Sequence, residues 1–178
     1  MVDINKSLLN KNNFRLLIDK VPTVEYYVQS VNIPGLQFTE VNQPFGIGVD
    51  AFFPGDKVTF DALSVTFLVD EDLENFKEMY DWMQAIVPVS SSSDFQEYVD
   101  SQKTTTGELS NINSDLNQYS QITLITNTNK NLPNKFFRFY DCFPISLGGL
   151  ELQSGADAET VTCTVEFRFT YYDIKTTS

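Results

Sequence analysis

KVTFDALSVTFLVDEDLENFKEMYDWMQAIV, residues 57–87, changes its repeat halfway along. Up to Asp70, apolar Leu63, Val65, Phe67 and Val69 alternate with Ser64, Thr66, Leu68 and Asp70. A repeat of two puts each set on its own face of a β-strand, one face buried. Beyond Asp70, the residues Leu73, Phe76, Tyr80, Met83 and Val87 are spaced by three and four, the stripe of an amphipathic helix. Met79 and Trp82 widen that stripe. Asp70 is the expected N-cap, Glu71, Asp72 and Glu74 favour the positive end of the helix dipole, and Pro88 is the expected stop. A half-buried strand feeding such a helix predicts a helix laid on a sheet face.

Working outward, TVTCTVEFRFTYYD (160–173) repeats the alternation. Val161, Cys163, Val165, Phe167, Phe169 and Tyr171 stand against Thr160, Thr162, Thr164, Glu166, Arg168 and Thr170, so the question is what a strand this long does with its second face. QITLITN (121–127) and NKFFRFYDCFPI (134–145) read as further strands, the latter closed by SLGGL with Gly149 in the turn. Toward the N-terminus, NFRLLIDK (13–20) and VEYYVQSVN (24–32) read as two strands of a hairpin separated by Pro22, which suits no central ladder. Pro34-Gly35 suits a type II turn, and Pro54-Gly55-Asp56 is a strong turn signal. Gln37 to Val49 is mixed, and is expected to be extended without burial on both sides. Residues 88–120 are rich in Ser, Thr and Asn, with room for one short helix at 94–100. A polar loop this long in one domain usually means a binding or partner-ordered segment.

The expected architecture is therefore mainly β: an antiparallel β-barrel or sandwich with one flanking α-helix at about residues 71–87 and a long polar loop at about 88–120. One domain, 1–178, accounts for the length, because a chain of 178 residues buries enough surface for a core without staples. Hydrophobic content of 42%, with 15 Phe and 8 Tyr, excludes disorder as the overall state. No apolar run is long enough to span a bilayer as a helix, and the N-terminus lacks a signal peptide's apolar core, so folding in the cytosol is expected. Cys142 and Cys163 lie in strand-like runs, where reduced, buried thiols are expected.

Chemistry is constrained mostly by absences. The chain has no histidine, which removes Ser-His-Asp and Cys-His nucleophile systems and the helical two-histidine zinc motif. Two cysteines alone make a poor zinc site. Gly46 and Gly48 lack the third glycine and the following helix of a dinucleotide turn. Asp70, Asp72, Glu74 and Asp81 imitate a calcium loop but place Asn75 where its sharp turn needs glycine. No catalytic, cofactor-binding or metal-binding residue stands out, and an enzyme is not expected. A formal charge of −12 disfavours gripping nucleic acid.

Three segments, YYVQSVNIPGL, FPGDKVTFDALSVTFLVDEDLENFKEMYDWMQ and FPISLGGLELQSGADAETVTCTVEFRFTYYDI, occur in an order that resembles the tail tube proteins of contractile-tailed bacteriophages. They cover about half the chain. The resemblance implies six copies in a ring, rings stacked into a hollow tube that conducts DNA without binding it specifically, and long hairpins joined into a sheet that lines an acidic lumen. The hairpin around residues 36–70 is the better candidate for that lining. It also implies sheath, baseplate and tail-terminator partners, placement in the virion tail and assembly in the host cytoplasm. The insertion from Pro88 to Gln118 departs from the pattern. It leaves room for a tube-initiator or baseplate protein, or the inner tube of a secretion or injection system, of the same fold. A monomeric carbohydrate-binding β-sandwich is the alternative of another class. Under the tube reading, Gly35, Gly55 and Gly149 serve turns. Phe60, Phe67, Phe76, Trp82, Phe167 and Phe169 are core or subunit-interface aromatics, and the insertion is expected to contact an adjacent subunit or ring.

Overall fold

β7 (Pro133–Leu147), the longest strand, belongs to two antiparallel layers at once. Its first half, Lys135 to Tyr140, pairs with β9 (Tyr171–Thr176), and its second half, Phe143 to Leu147, pairs with β8 (Thr162–Arg168). Between them Asp141 has φ 55°, in a left-handed region that Asp enters more readily than most residues, and the strand turns a corner there. The computed structural model describes residues 8–9, 11–25, 27–44, 46, 48–87, 119–154 and 160–176.

The first layer runs β1 (Phe14–Ile18), β6 (Ser120–Asn127), β7, β9, and the second runs β7, β8, β5 (Leu63–Leu68), β2 (Val28–Val31). A separate two-stranded sheet consists of β3 (Leu36–Pro44) and β4 (Asp50–Phe60). Among the described residues the layers do not close into a barrel, because β1 pairs with β6 alone and β2 with β5 alone. The architecture is thus mainly antiparallel β, as expected, in its sandwich form.

β5 and β8 carry the alternation read from the sequence. Leu63, Val65 and Phe67 pair directly with Phe167, Val165 and Cys163, all six buried. Leu16, Ile18, Ile122, Leu124, Phe139 and Cys142 from the first layer join them in one core, with Val21, Val24, Met79 and Trp82. Each such large side chain removed from water contributes about 1.5–3 kcal/mol. Burial pushes the Cys142 thiol up to about 12, and Cys163 Sγ donates to the Gly148 carbonyl at 3.3 Å.

Several expectations need correction. The strands near residues 13–20 and 24–32 do not form a hairpin: a short helix, α1 (Pro22–Glu25), separates β1 from β2, which lie in different layers. Pro22 opens that helix, where its missing N–H costs nothing. The long C-terminal strand is two strands, broken at Phe169-Thr170, where the chain passes from the second layer to the first. α2 spans Glu74–Ile86, and its buried positions are Asn75, Met79, Trp82 and Ala85. The face is turned by about 100°, one residue of helix, from the expected stripe, leaving Leu73, Tyr80 and Val87 exposed.

Asn75 explains the turn of that face. Its Nδ2 donates to the Leu68 carbonyl at 2.8 Å and its Oδ1 accepts from the Asp70 N–H at 3.4 Å, so an amide buried under the helix holds the end of β5. The N-cap is Leu73 (φ 58°) rather than Asp70, whose Oδ1 accepts from the Glu74 N–H at 2.9 Å. Pro88, the short helix at 94–100 and the polar insertion to Gln118 lie outside the described residues.

Candidate assembly interface

The ladder between β2 and β5 does not stop at the edge of the body. Ser30 faces Thr66 and Val31 faces Val65, Asn32 N donates to Ser64 O at 3.1 Å, Asp61 N donates to Gly35 O at 3.2 Å, and Leu36 then faces Phe60 in the same register. β2 through β5 is therefore one long hairpin. Its lower half is built into the second layer, and its upper half, β3–β4, forms an arm whose strands pair only with each other among the described residues.

The arm's root is anchored and its length is not covered. Phe60 has its ring centroid 5.4 Å from those of both Phe169 and Tyr172, and Arg168 Nη1 donates to the Phe60 carbonyl at 3.1 Å. Every residue of β3 is exposed, and Phe38 and Phe52 are 66% and 63% exposed. Phe38 lies opposite Val58, and Val41 opposite Phe53, which counting along β3 fall on opposite faces. Apolar side chains thus leave both faces, and among the described residues both edges are open. A lone two-stranded hairpin is at best marginally stable in water, and grouped exposed apolar side chains mark interfaces.

Gly55 lies inside β4 rather than in a turn. The register shifts between Phe38↔Val58 and Glu40↔Pro54, so residues 55–57 oppose the single Thr39 in a bulge. Thr39 Oγ1 accepts from the Lys57 N–H at 3.4 Å and donates to the Lys57 carbonyl at 3.3 Å. A Cβ on Gly55 would lie 2.5 Å from the Thr39 carbonyl oxygen, so the close approach excludes side chains. At the tip Gly46 and Gly48 both have φ +83°. Gly35 has no positive φ and forms no type II turn, since it sits in the hairpin neck opposite Asp61. Gly149 follows β7 with open space around its Cβ position, and the tight approach is made by Gly148, whose N–H donates to Thr164 O at 2.7 Å.

The second face of β8 is also on view. Thr162, Thr164, Glu166 and Arg168 are exposed, level with Leu68, Thr66 and Ser64 of β5, and Thr66 Oγ1 and Thr164 Oγ1 are 3.0 Å apart. Ser30 on β2 and Ser146 on β7 extend this hydroxyl-rich face. Of the aromatic residues singled out in the sequence, Phe67, Trp82 and Phe167 lie in the core, with Trp82 and Phe167 centroids 5.8 Å apart. Phe60, Phe76 and Phe169 are half-buried, and Phe76 and Phe169 pack on the core. Sequence reading missed Phe38, Val41, Phe52 and Phe53. Their only signal was a mixed pattern with apolar residues on neither face consistently. Among the described residues no group of three or more potential ligands could hold a metal ion, and no helix is long and apolar enough to cross a membrane.

Comparison with known proteins gives this geometry a context. Residues 4–175 match the family model described as phage tail tube protein. Over 80 residues the chain is 39% identical to the tail tube terminator protein of Enterobacteria phage T4, a match that covers 42% of this chain and 45% of that protein. It thus spans less than half the length of that relative. Among solved structures, the tube-terminating cap of the anti-feeding prophage superposes with a TM-score of 0.55 at 12% identity, covering 98% of this chain and 96% of that one. The sheath–tube complex of the extracellular contractile injection system PVC gives 0.55 at 11%, covering 97% and 94%. Its sheath/tube terminator gives 0.52 at 12%, covering 98% and 99%. At these identities the likeness is one of fold.

Proposed function

The chain belongs to the phage tail tube protein family, a structural component of the tail and not an enzyme, and from that premise we propose that six copies close into a ring seated at one end of the tail tube. The observation that carries the reading is the β3–β4 arm, whose open edges and two apolar faces require cover from other copies. One domain, 1–178, supplies each copy, with the insertion at 88–118 facing a neighbouring subunit or ring.

In this ring the lower half of the long hairpin, β2 and β5, and β8 turn their outer face to the channel, which answers what the second face of the C-terminal strand does. Hydroxyls of Ser30, Ser64, Thr66, Thr162 and Thr164 dominate the wall, and Glu166 offsets Arg168. The described arm carries Glu40, Asp50 and Asp56 against the single Lys57, so it brings no cation cluster either. A wall without a cation cluster, on a subunit of formal charge −12, gives duplex DNA no phosphate grip, so DNA slides rather than binds. Sheath, baseplate and other tube proteins are the proposed partners, in the virion tail.

The end of the tube is favoured over its repeating body by the 39% match to a tube terminator. Purified protein under negative stain tests both levels. Six-fold rings that stay single support the end position, whereas rings that stack into long tubes support a repeating subunit. A species that stays monomeric by light scattering at high concentration, with no rings on the grid, overturns the reading. Gold labelling of intact tails then separates the head-proximal end from the baseplate end.

A further inference from the structure

β1 and β2 are joined through α1 yet pair with different layers, and between them lies a cavity of about 380 Å³. Phe14, Leu16 and Val28 give it apolar surface, and Lys11, Asn12, Arg15, Glu25 and Gln29 give it polar surface. Arg15 and Glu25 form an ion pair at 2.6 Å across it, which leaves the Lys11 ammonium as the excess charge. Each flanking strand has one open edge among the described residues. A cleft with apolar lining, a cationic excess and a strand edge on each side suits an extended segment that carries aromatic and acidic side chains.

We propose that this cleft is the socket for the β3–β4 arm of an adjacent copy, the arm entering as an added strand. The arm has what the cleft lacks. Its open edges offer main-chain donors and acceptors, Phe52 and Phe53 offer exposed apolar bulk, and Glu40, Asp50 and Asp56 offer charge opposite to Lys11. A β-strand of nine residues spans about 30 Å, ample to cover the five-residue β1. Arm and socket are different patches of one chain, so their contact is head-to-tail, the kind that repeats around a ring until it closes.

This inference rests on the ring reading and names the surface that receives the arm. Rings grown from an equal mixture of ¹⁴N- and ¹⁵N-labelled chains are treated with a zero-length carbodiimide and analysed by mass spectrometry. The expected product joins Lys11 of one label to Glu40, Asp50 or Asp56 of the other. Hydrogen exchange is read in parallel. Amides of Phe14–Ile18 and Val28–Val31 that exchange in the monomer become at least tenfold slower in the ring, together with those of the arm. Rings in which the arm is protected while both cleft strands exchange as in the monomer, with no mixed-label Lys11 product, overturn the socket and leave the ring reading standing. If no ring forms at all, both fall.

Discussion

Leu63, Val65 and Phe67 of β5 are fully buried while Ser64 and Thr66 between them look outward, whereas Phe52 and Phe53, neighbours on the same long hairpin, are both more than half exposed. The two halves share a register from Ser30 through Phe38. They differ in what lies beside them. The lower half has β8 on its flank and a core beneath it, so one apolar face suffices. The arm has neither, and its apolar residues point both ways, which is how a strand looks when its partners come from another molecule.

The largest expected contrast sets Trp82 against Phe52. Trp82→Ala leaves a cavity beside Phe167 and is expected to cost about 3–5 kcal/mol in urea unfolding, with ring formation lost only because the body fails. Phe52→Ala is expected to change unfolding by less than about 0.5 kcal/mol, as an exposed site does, and still abolish rings on the grid. A large stability loss at Phe52 would mean that the arm packs on its own chain. Next is Asn75→Leu, which strands the Leu68 carbonyl and should cost about 1–3 kcal/mol without altering assembly of the folded fraction. Gly55→Val forces a side chain onto the Thr39 carbonyl. It should distort the arm and reduce ring yield while the body's melting temperature stays put.

A pH series sharpens the contrast from the body side. Burial pulls the Lys20 ammonium, 5.6 Å from the Trp82 ring centroid, down from 10.5 to about 8. Below about pH 8 both folded and unfolded chains hold that proton, and the burial penalty acts in full. From about 8 to 10.5 the unfolded chain holds a proton that the folded chain has released, so this residue makes stability rise with pH. Cys142 works in the opposite sense between 9.0 and about 12, because there the unfolded thiol has released its proton and the folded one has not. The difference between wild type and Lys20→Met isolates the lysine. The variant's stability relative to wild type should be greatest below pH 8 and decline through pH 10.5, and a flat difference would remove Lys20 from the account. Smallest is Thr164→Val, which breaks one exposed cross-strand hydroxyl pair and should shift unfolding by less than about 1 kcal/mol.

The body was legible because its strands each have one buried face. Leu63, Val65, Phe67, Cys163, Val165 and Phe167 could be read from alternation alone, since no other arrangement hides them all. The helix was legible in extent but not in facing. Periodicity ranks apolar residues, and it had no means of knowing that a buried amide, Asn75, would be drawn under the helix by the Leu68 carbonyl. Pro54-Gly55-Asp56 misled for a related reason. Turn residues also serve bulges, and only the opposing Thr39 shows that the chain runs straight on. The arm was least legible, because a strand with no core of its own chain beneath it carries no pattern set by one.

The central claim is that the body folds by itself and the arm assembles it. Replacing Thr39–Lys57 by Asn-Gly joins Phe38 to Val58 through a two-residue hairpin turn and removes the arm while sparing Phe60 and the neck. Analytical ultracentrifugation of this variant beside the wild type, at matched concentration, is the direct test. The account predicts a folded monomer with the wild-type melting temperature and no hexamer. A hexamer that persists without the arm would contradict it.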